Sequence, residues 1–195
     1  MVRLLLLAPL TVLFGVLATG CGTNPTTFVP SVKAPPQQAT LDWVEQYPAE
    51  KPALVFGVRS FAVTEDGWRA TISVENRSDV GWEVGAQRLT VERAFGVLLF
   101  PNDDLDELER RNREGTLPAL RRATAYVPPL PQVLEPGTTW SGTISAPGPL
   151  AGGLWLRISF GTFTSVGDPP EGAQPQLVWF TDHAYRLEEV AADGA

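Results

Sequence analysis

Apolar and polar residues alternate with a period of two along much of the chain after about residue 52. Between residues 68 and 75, Trp68, Ala70, Ile72 and Val74 share one face, while Arg69, Thr71, Ser73 and Glu75 share the other. A β-strand sends successive side chains to opposite faces, so this pattern predicts a half-buried antiparallel strand. Glu65-Asp66-Gly67 just before it supplies a turn, which makes residues 53–63 its hairpin partner. The alternation returns at residues 88–92. It returns again at 138–145, with Trp140, Gly142 and Ile144 inward, and at 154–160, with Leu154, Leu156, Ile158 and Phe160 on one face. Residues 176–186 read as a last strand, and shorter strands are expected near 97–100 and 122–127. The rhythm of about seven to eight strands separated by turns predicts an all-β antiparallel sandwich. No internal repeat is visible, which argues against a propeller or a solenoid.

One segment breaks the rhythm. Asn102 is placed to cap a helix, Asp103, Asp104, Asp106 and Glu107 fill its first turns, and Arg110, Arg111 and Arg113 fill its end. That order opposes the helix macrodipole at both ends. Asp106–Arg110, Glu107–Arg111 and Glu109–Arg113 stand at i,i+4 spacing. Leu105 and Leu108 alone offer an apolar contact, so a short helix between strands is expected, ending near Gly115.

The N-terminus has a different pattern. Arg3 is followed by residues 4–20, LLLLAPLTVLFGVLATG, without a charge. This is the positive and then apolar order of a secretory signal. It ends in Ala18-Thr19-Gly20-Cys21, which resembles the lipobox of bacterial lipoproteins. The resemblance implies a diacylglyceryl group on the Cys21 sulfur and cleavage between Gly20 and Cys21. It also implies an extracytoplasmic location, anchored in the cell membrane by palmitate-type acyl chains, since two chains hold a protein stably where one does not. The alternative reading is an uncleaved membrane-spanning helix, for which this run is just long enough. Residues 22–40, rich in Pro, Thr and Gln, lack the apolar positions of a core and read as an extended spacer. The expected organisation is a signal peptide at 1–20, a lipidated N-terminus and Pro-rich linker at 21–50, and a sandwich at 51–190. A short amphipathic stretch at 41–47 marks the start of order.

Asn76-Arg77-Ser78 after an alternating strand, then Trp82, then Gly-Thr-Thr-Trp-Ser-Gly-Thr-Ile at 137–144 together resemble the immunoglobulin-like domains of bacterial surface lipoproteins. The resemblance spans about residues 52–188 and implies an architecture without a catalytic motif.

Composition narrows the chemistry. The 195 residues include 18 Gly and 18 Pro, one Cys and one His, and carry a net charge of −7. Arg3 is the one charge of the signal segment, so the remainder carries −8. An acidic chain without a basic cluster argues against nucleic acid as a partner. A single Cys excludes an intrachain disulfide and a thiolate zinc cluster, and no cofactor or metal is expected. The acidic run from Asn102 fails as a calcium loop, because Glu107 and Arg113 occupy the places that need Gly and Glu. His183, Asp182 and Ser141 do not make a convincing triad. Adjacent Asp and His on a strand point to opposite faces, and there is no Gly-x-Ser-x-Gly turn.

Six Trp is a large number for such a domain. Trp68 and Trp140 fall on apolar faces. Trp155 falls instead with Arg157 and Ser159, and Trp179 shares a face with Leu177, His183 and Tyr185. Two arrangements are open. In one, Trp155, Trp179 and Tyr185 form an outward aromatic surface for an envelope protein or a glycan. In the other, the helix or linker covers them, or Leu177 and Trp179 are the inward set. The expected function is a membrane-anchored binding or scaffolding module of the cell envelope, more readily non-catalytic than enzymatic. An envelope hydrolase, or a subunit of one, is the alternative.

Overall fold

Alternating faces in β2 (Leu54–Val63) and β3 (Gly67–Asn76) put Phe56, Val58 and Phe61 beside Ala70, Ile72 and Val74, all of them buried. The hairpin between them is closed by Thr64, whose backbone N–H donates to the Gly67 carbonyl at 2.8 Å. These relations come from a computed structural model, which describes residues 32–85, 94–117 and 120–190. The described residues lie within one compact unit, Ser31–Ala195.

The remaining strands are β1 (Gln37–Tyr47), β4 (Trp82–Val84), β5 (Phe95–Phe100), β6 (Leu120–Arg122), β7 (Ala125–Val127), β8 (Val133–Leu134), β9 (Thr139–Pro147), β10 (Trp155–Ser165), β11 (Gln176–Phe180) and β12 (Tyr185–Arg186). The one helix among the described residues is α1 (Leu105–Arg113). Among the described residues every strand pairing is antiparallel. One sheet runs β1-β2-β3-β9-β7. In the other, the long β10 carries β5 and β4, with β11 and β12 also paired to it, while β6 and β8 extend the sheet beyond β5 and β4. Among the described residues the fold is therefore all-β, with two antiparallel sheets and one short helix. The inner faces share a core in which Phe56 meets Phe160 at 5.0 Å and Phe163 at 5.4 Å between ring centroids.

Twelve strands are found among the described residues, against the seven or eight expected. Apart from β1, the surplus consists of ladders of two or three residues, too short to show a period. The expected single strand at 176–186 is divided into β11 and β12 by residues 181–184. The expected strand at 122–127 divides into β6 in one sheet and β7 in the other. The expected strand at 88–92 lies outside the described residues.

β1 occupies residues that the sequence pattern assigns to the spacer. Its inward face alternates apolar Ala39, Leu41 and Trp43 with polar Gln37, Glu45 and Tyr47, and this mixture hides the hydrophobic period. Asn76 supports the next turn from inside. It is fully buried, and its Nδ2 donates to the carbonyls of Val80 (2.7 Å) and Leu134 (2.9 Å). Its Oδ1 accepts from the Ser78 hydroxyl at 2.7 Å. Ser78 Oγ in turn accepts from Nε1 of the fully buried Trp82 at 3.2 Å. Asn76-Arg77-Ser78 and Trp82 thus form one structural unit.

The helix cap is Asp104 rather than Asn102. Its Oδ1 accepts from the Glu107 N–H at 2.9 Å. Arg110 pairs with Glu107 and Glu114, both at 2.7 Å, rather than with Asp106. Glu107–Arg111 and Glu109–Arg113 stand at 3.9 and 3.8 Å. Gly115 follows the end of the helix with φ of 70°, a left-handed conformation that glycine adopts without a Cβ clash.

Candidate functional site

Side chains join β1 to the segment that carries β11 and β12. Gln37 Oε1 accepts from the Tyr185 hydroxyl (3.1 Å) and the Glu188 N–H (3.2 Å). Tyr47 Oη accepts from the Gln174 N–H at 2.8 Å. Between them lies Glu45, whose side chain is 6% exposed. Its Oε1 accepts from the N–H groups of Asp182 (2.8 Å) and His183 (3.2 Å), and from His183 Nδ1 (2.9 Å). The His183 ring stacks on Trp43 at 5.5 Å and 21°.

The same loop is held from its other side. Arg157, 3% exposed on β10, donates to the carbonyls of Thr181 (3.0 Å) and Asp182, and pairs with Asp103. The Thr181 hydroxyl donates to the His183 carbonyl at 2.9 Å and accepts from the Ile158 N–H at 3.1 Å. A carboxylate on the N–H groups and a guanidinium on the carbonyls therefore fix residues 181–183 between the two sheets. Charge-assisted bonds of this kind are shorter and stronger than neutral ones. Glu45 Oε2 and Trp179 Nε1 are buried without a hydrogen-bond partner among the described residues.

His183 was singled out in the sequence together with Asp182 and Ser141. The structure gives it Glu45 instead. Asp182 contributes its backbone, and Ser141 sits on β9 of the other sheet, directly opposite Ser73. Glu45 is 138 residues from His183, and no local motif pairs them. The available signal was an acid on the inward face of the 41–47 stretch, which ordinarily needs a buried partner.

The three aromatic candidates are all half-buried. Trp155 lies against a second, smaller core made of Leu98, Phe100, Leu108, Leu117 and Phe180. Trp179 is inward with Leu177 and stacks on Phe56 at 4.9 Å and 9°. Tyr185 packs near Phe61 at 6.4 Å. They are not brought into one surface: Trp155 belongs to one core and Trp179 and Tyr185 to the other. The acidic run 102–106 serves α1 and Arg157, through Asp104 and Asp103. Cys21 lies outside the described residues.

Chemically, an imidazole oriented through Nδ1 by a buried carboxylate resembles the arrangement that prepares a histidine as a base or ligand. Among the described residues, no group of three or more His, Cys, Asp or Glu side chains is placed to hold a metal ion. No protein-family model matches the chain, and no match was found among the curated proteins or the solved structures.

Proposed function

We propose that the chain is a lipid-anchored lipoprotein on the extracytoplasmic face of the cell membrane. In this reading its two-sheet body, of immunoglobulin-like type, is a non-catalytic binding or scaffolding module that engages an envelope protein or glycan. The anchor rests on the sequence Ala18-Thr19-Gly20-Cys21 after an uncharged run. The immunoglobulin-like type draws support from two antiparallel sheets on a common core, with the chain crossing between them after β3, β6, β7, β8 and β9.

The observation that carries the non-catalytic reading is the engagement of Glu45. One oxygen of this carboxylate takes two backbone N–H groups and the chain's one imidazole. The pair that most resembles catalytic machinery thereby fastens β1 to the opposite sheet. The test begins with Cys21→Ser in cells fed a labelled fatty acid. The wild-type protein is expected in the membrane fraction with label and the variant without either. Label retained on the variant overturns the anchor.

A hydrolase is the second reading, favoured by one observation: the His183 side chain remains 55% exposed while its Nδ1 is held by a carboxylate. Under that reading His183→Asn removes hydrolysis of envelope substrates and leaves folding intact. Under the first reading no hydrolysis is present to remove.

A further inference from the structure

The outer faces of the two sheets differ. One carries the small core beneath α1. The outer face of the five-stranded sheet instead presents small polar residues in register. Val44, Gly57, Ser73 and Ser141 form one row across β1, β2, β3 and β9. Thr40, Ser60, Thr71, Thr143 and Val127 form the next, reaching β7. The first row is low because Gly57 has no side chain; a Cβ there would stand 2.4 Å from Ser73 Oγ.

Two irregularities meet at this place. Leu41 and Asp42 of β1 stand opposite the single residue Arg59 of β2. Arg59 is itself the extra residue against β3, which steps directly from Thr71 to Ile72. Asp42 has φ of 49° and is the one non-glycine residue with positive φ among the described residues. Bulges re-aim side chains, and they and unusual backbone conformations are concentrated at functional sites. Here they bring Asp42 and Arg59 to a trough of about 160 Å³ that is also lined by Gly57, Thr71, Ser73 and Ser141.

Five polar side chains lining the trough are not engaged elsewhere. Asp42 and Arg59 have no ion pair, and the hydroxyls of Thr71, Ser73 and Ser141 have no hydrogen bond, to other described residues. By contrast, Thr64, Ser78, Thr138, Ser159, Ser165 and Thr181 each bond the backbone. One carboxylate, one guanidinium and three hydroxyls present acceptors and donors with no net charge. That set does not select an anion such as phosphate. Trp43 also lines the trough, but its ring stacks on His183; Val44 and Val127, 64% and 69% exposed, stand on the two edge strands. A neutral ligand with adjacent hydroxyl groups matches it, because vicinal hydroxyls pair bidentately with both a carboxylate and a guanidinium. The volume is roughly that of five waters at about 30 Å³ each, and below the 300 Å³ or more of a drug-sized pocket. It admits one sugar ring, with neighbouring rings lying along the Ser and Thr rows.

We infer that this trough is a subsite for one ring of a neutral oligosaccharide, with Asp42 and Arg59 as its polar clamp. The inference deepens the glycan reading above and rests on it. The full-length protein in detergent micelles is to be titrated against neutral hexose and N-acetylhexosamine tetrasaccharides, with an acidic tetrasaccharide and inorganic phosphate as comparators. Binding of a neutral tetrasaccharide is expected, weakened at least tenfold by Asp42→Ala or Arg59→Ala. It is expected to be abolished by Ser141→Phe, which fills the trough from an exposed position; circular dichroism and thermal unfolding verify that each variant is folded. No neutral-sugar binding, binding equal in the folded variants, or preference for the acidic comparators overturns the proposal. Failure of the anchor shows separately, as an unlabelled wild-type protein that still binds sugar.

Discussion

Glu45 illustrates how much one side chain can decide. Removing it leaves the N–H groups of Asp182 and His183 without their carboxylate acceptor, and a hydrogen bond to a charged group contributes about 1.5–3 kcal/mol, nearer the lower end where both residues are exposed. Glu45→Ala is therefore expected to lower stability by roughly 2–4 kcal/mol in urea unfolding, counting both donors. His183→Ala, which removes one bond from an exposed ring, should cost much less, about 1 kcal/mol. Equal effects from the two would show that the imidazole, not the backbone clamp, fastens the seam. Trp155 is the second case. It stands against the phase of its own strand, yet Leu98, Phe100 and Leu108 receive it in the smaller core, so Trp155→Ala is expected to destabilise by about 3 kcal/mol. An unchanged melting temperature would contradict that packing. The phenols supply a pH dependence. Burial pushes Tyr126 and Tyr185 above the ordinary value of 10.0, Tyr185 being raised further by Glu188. The folded state then holds these protons more tightly than the unfolded chain. Their contribution is complete below pH 10 and is lost as pH rises toward the higher folded values. Tyr126→Phe and Tyr185→Phe should each flatten the alkaline limb of a stability–pH curve.

Among the elements, β1 and α1 each do something their own residues do not announce. β1 covers the edge of β2 along nine paired positions and sends Gln37, Glu45 and Tyr47 to the opposite sheet. A chain beginning at Val32 keeps that strand, whereas one beginning at Pro52 leaves Phe56, Val58 and Phe61 beside an open edge, which invites aggregation. The first is expected to purify as a folded, soluble species and the second to be insoluble, as size-exclusion chromatography would show. A chain beginning near Thr40 loses Gln37 and its two bonds to the β12 side, and should melt lower than the one from Val32. In α1, Asp104→Ala removes the capping acceptor and should cost about 1 kcal/mol. Leu108→Ala empties the centre of the small core and should cost about 3 kcal/mol. Apart from β1, whose mixed inward face hides its period, legibility followed length. β3, β9 and β10, at nine to eleven residues, alternate clearly in the sequence, while β4, β6, β7, β8 and β12 are two or three residues long and depend on a partner already in place.

For the molecule as a whole, the two sheets are joined in different ways on their two sides. On one, the chain itself passes from β6 to β7 within residues 120–127. On the other, Glu45, Gln37 and Tyr47 hold the edges together through hydrogen bonds. That second side is the one whose loss would separate β1 from the other sheet. Hydrogen exchange is expected to show β1 opening before β3 and β9, since local opening begins where few groups hold an edge. Slower exchange in β1 than in β9 would count against the seam as the weaker side.

The sequence by itself determined the all-β class, the β2–β3 hairpin, the inward set of β9 and β10, and the short helix with its end at Gly115. Each of these follows from residue periods or backbone preferences that act over a few positions. Only the tertiary structure decided that Glu45 meets His183, that Asp103 meets Arg157, that Trp155 packs against the small core containing Leu108, and that two bulges aim Asp42 and Arg59 at one trough. Those relations join residues as far as 138 positions apart or depend on strand register. The physical reason is that a period of two fixes which face a side chain takes, while the partner on that face is fixed by which strand the folded chain lays beside it.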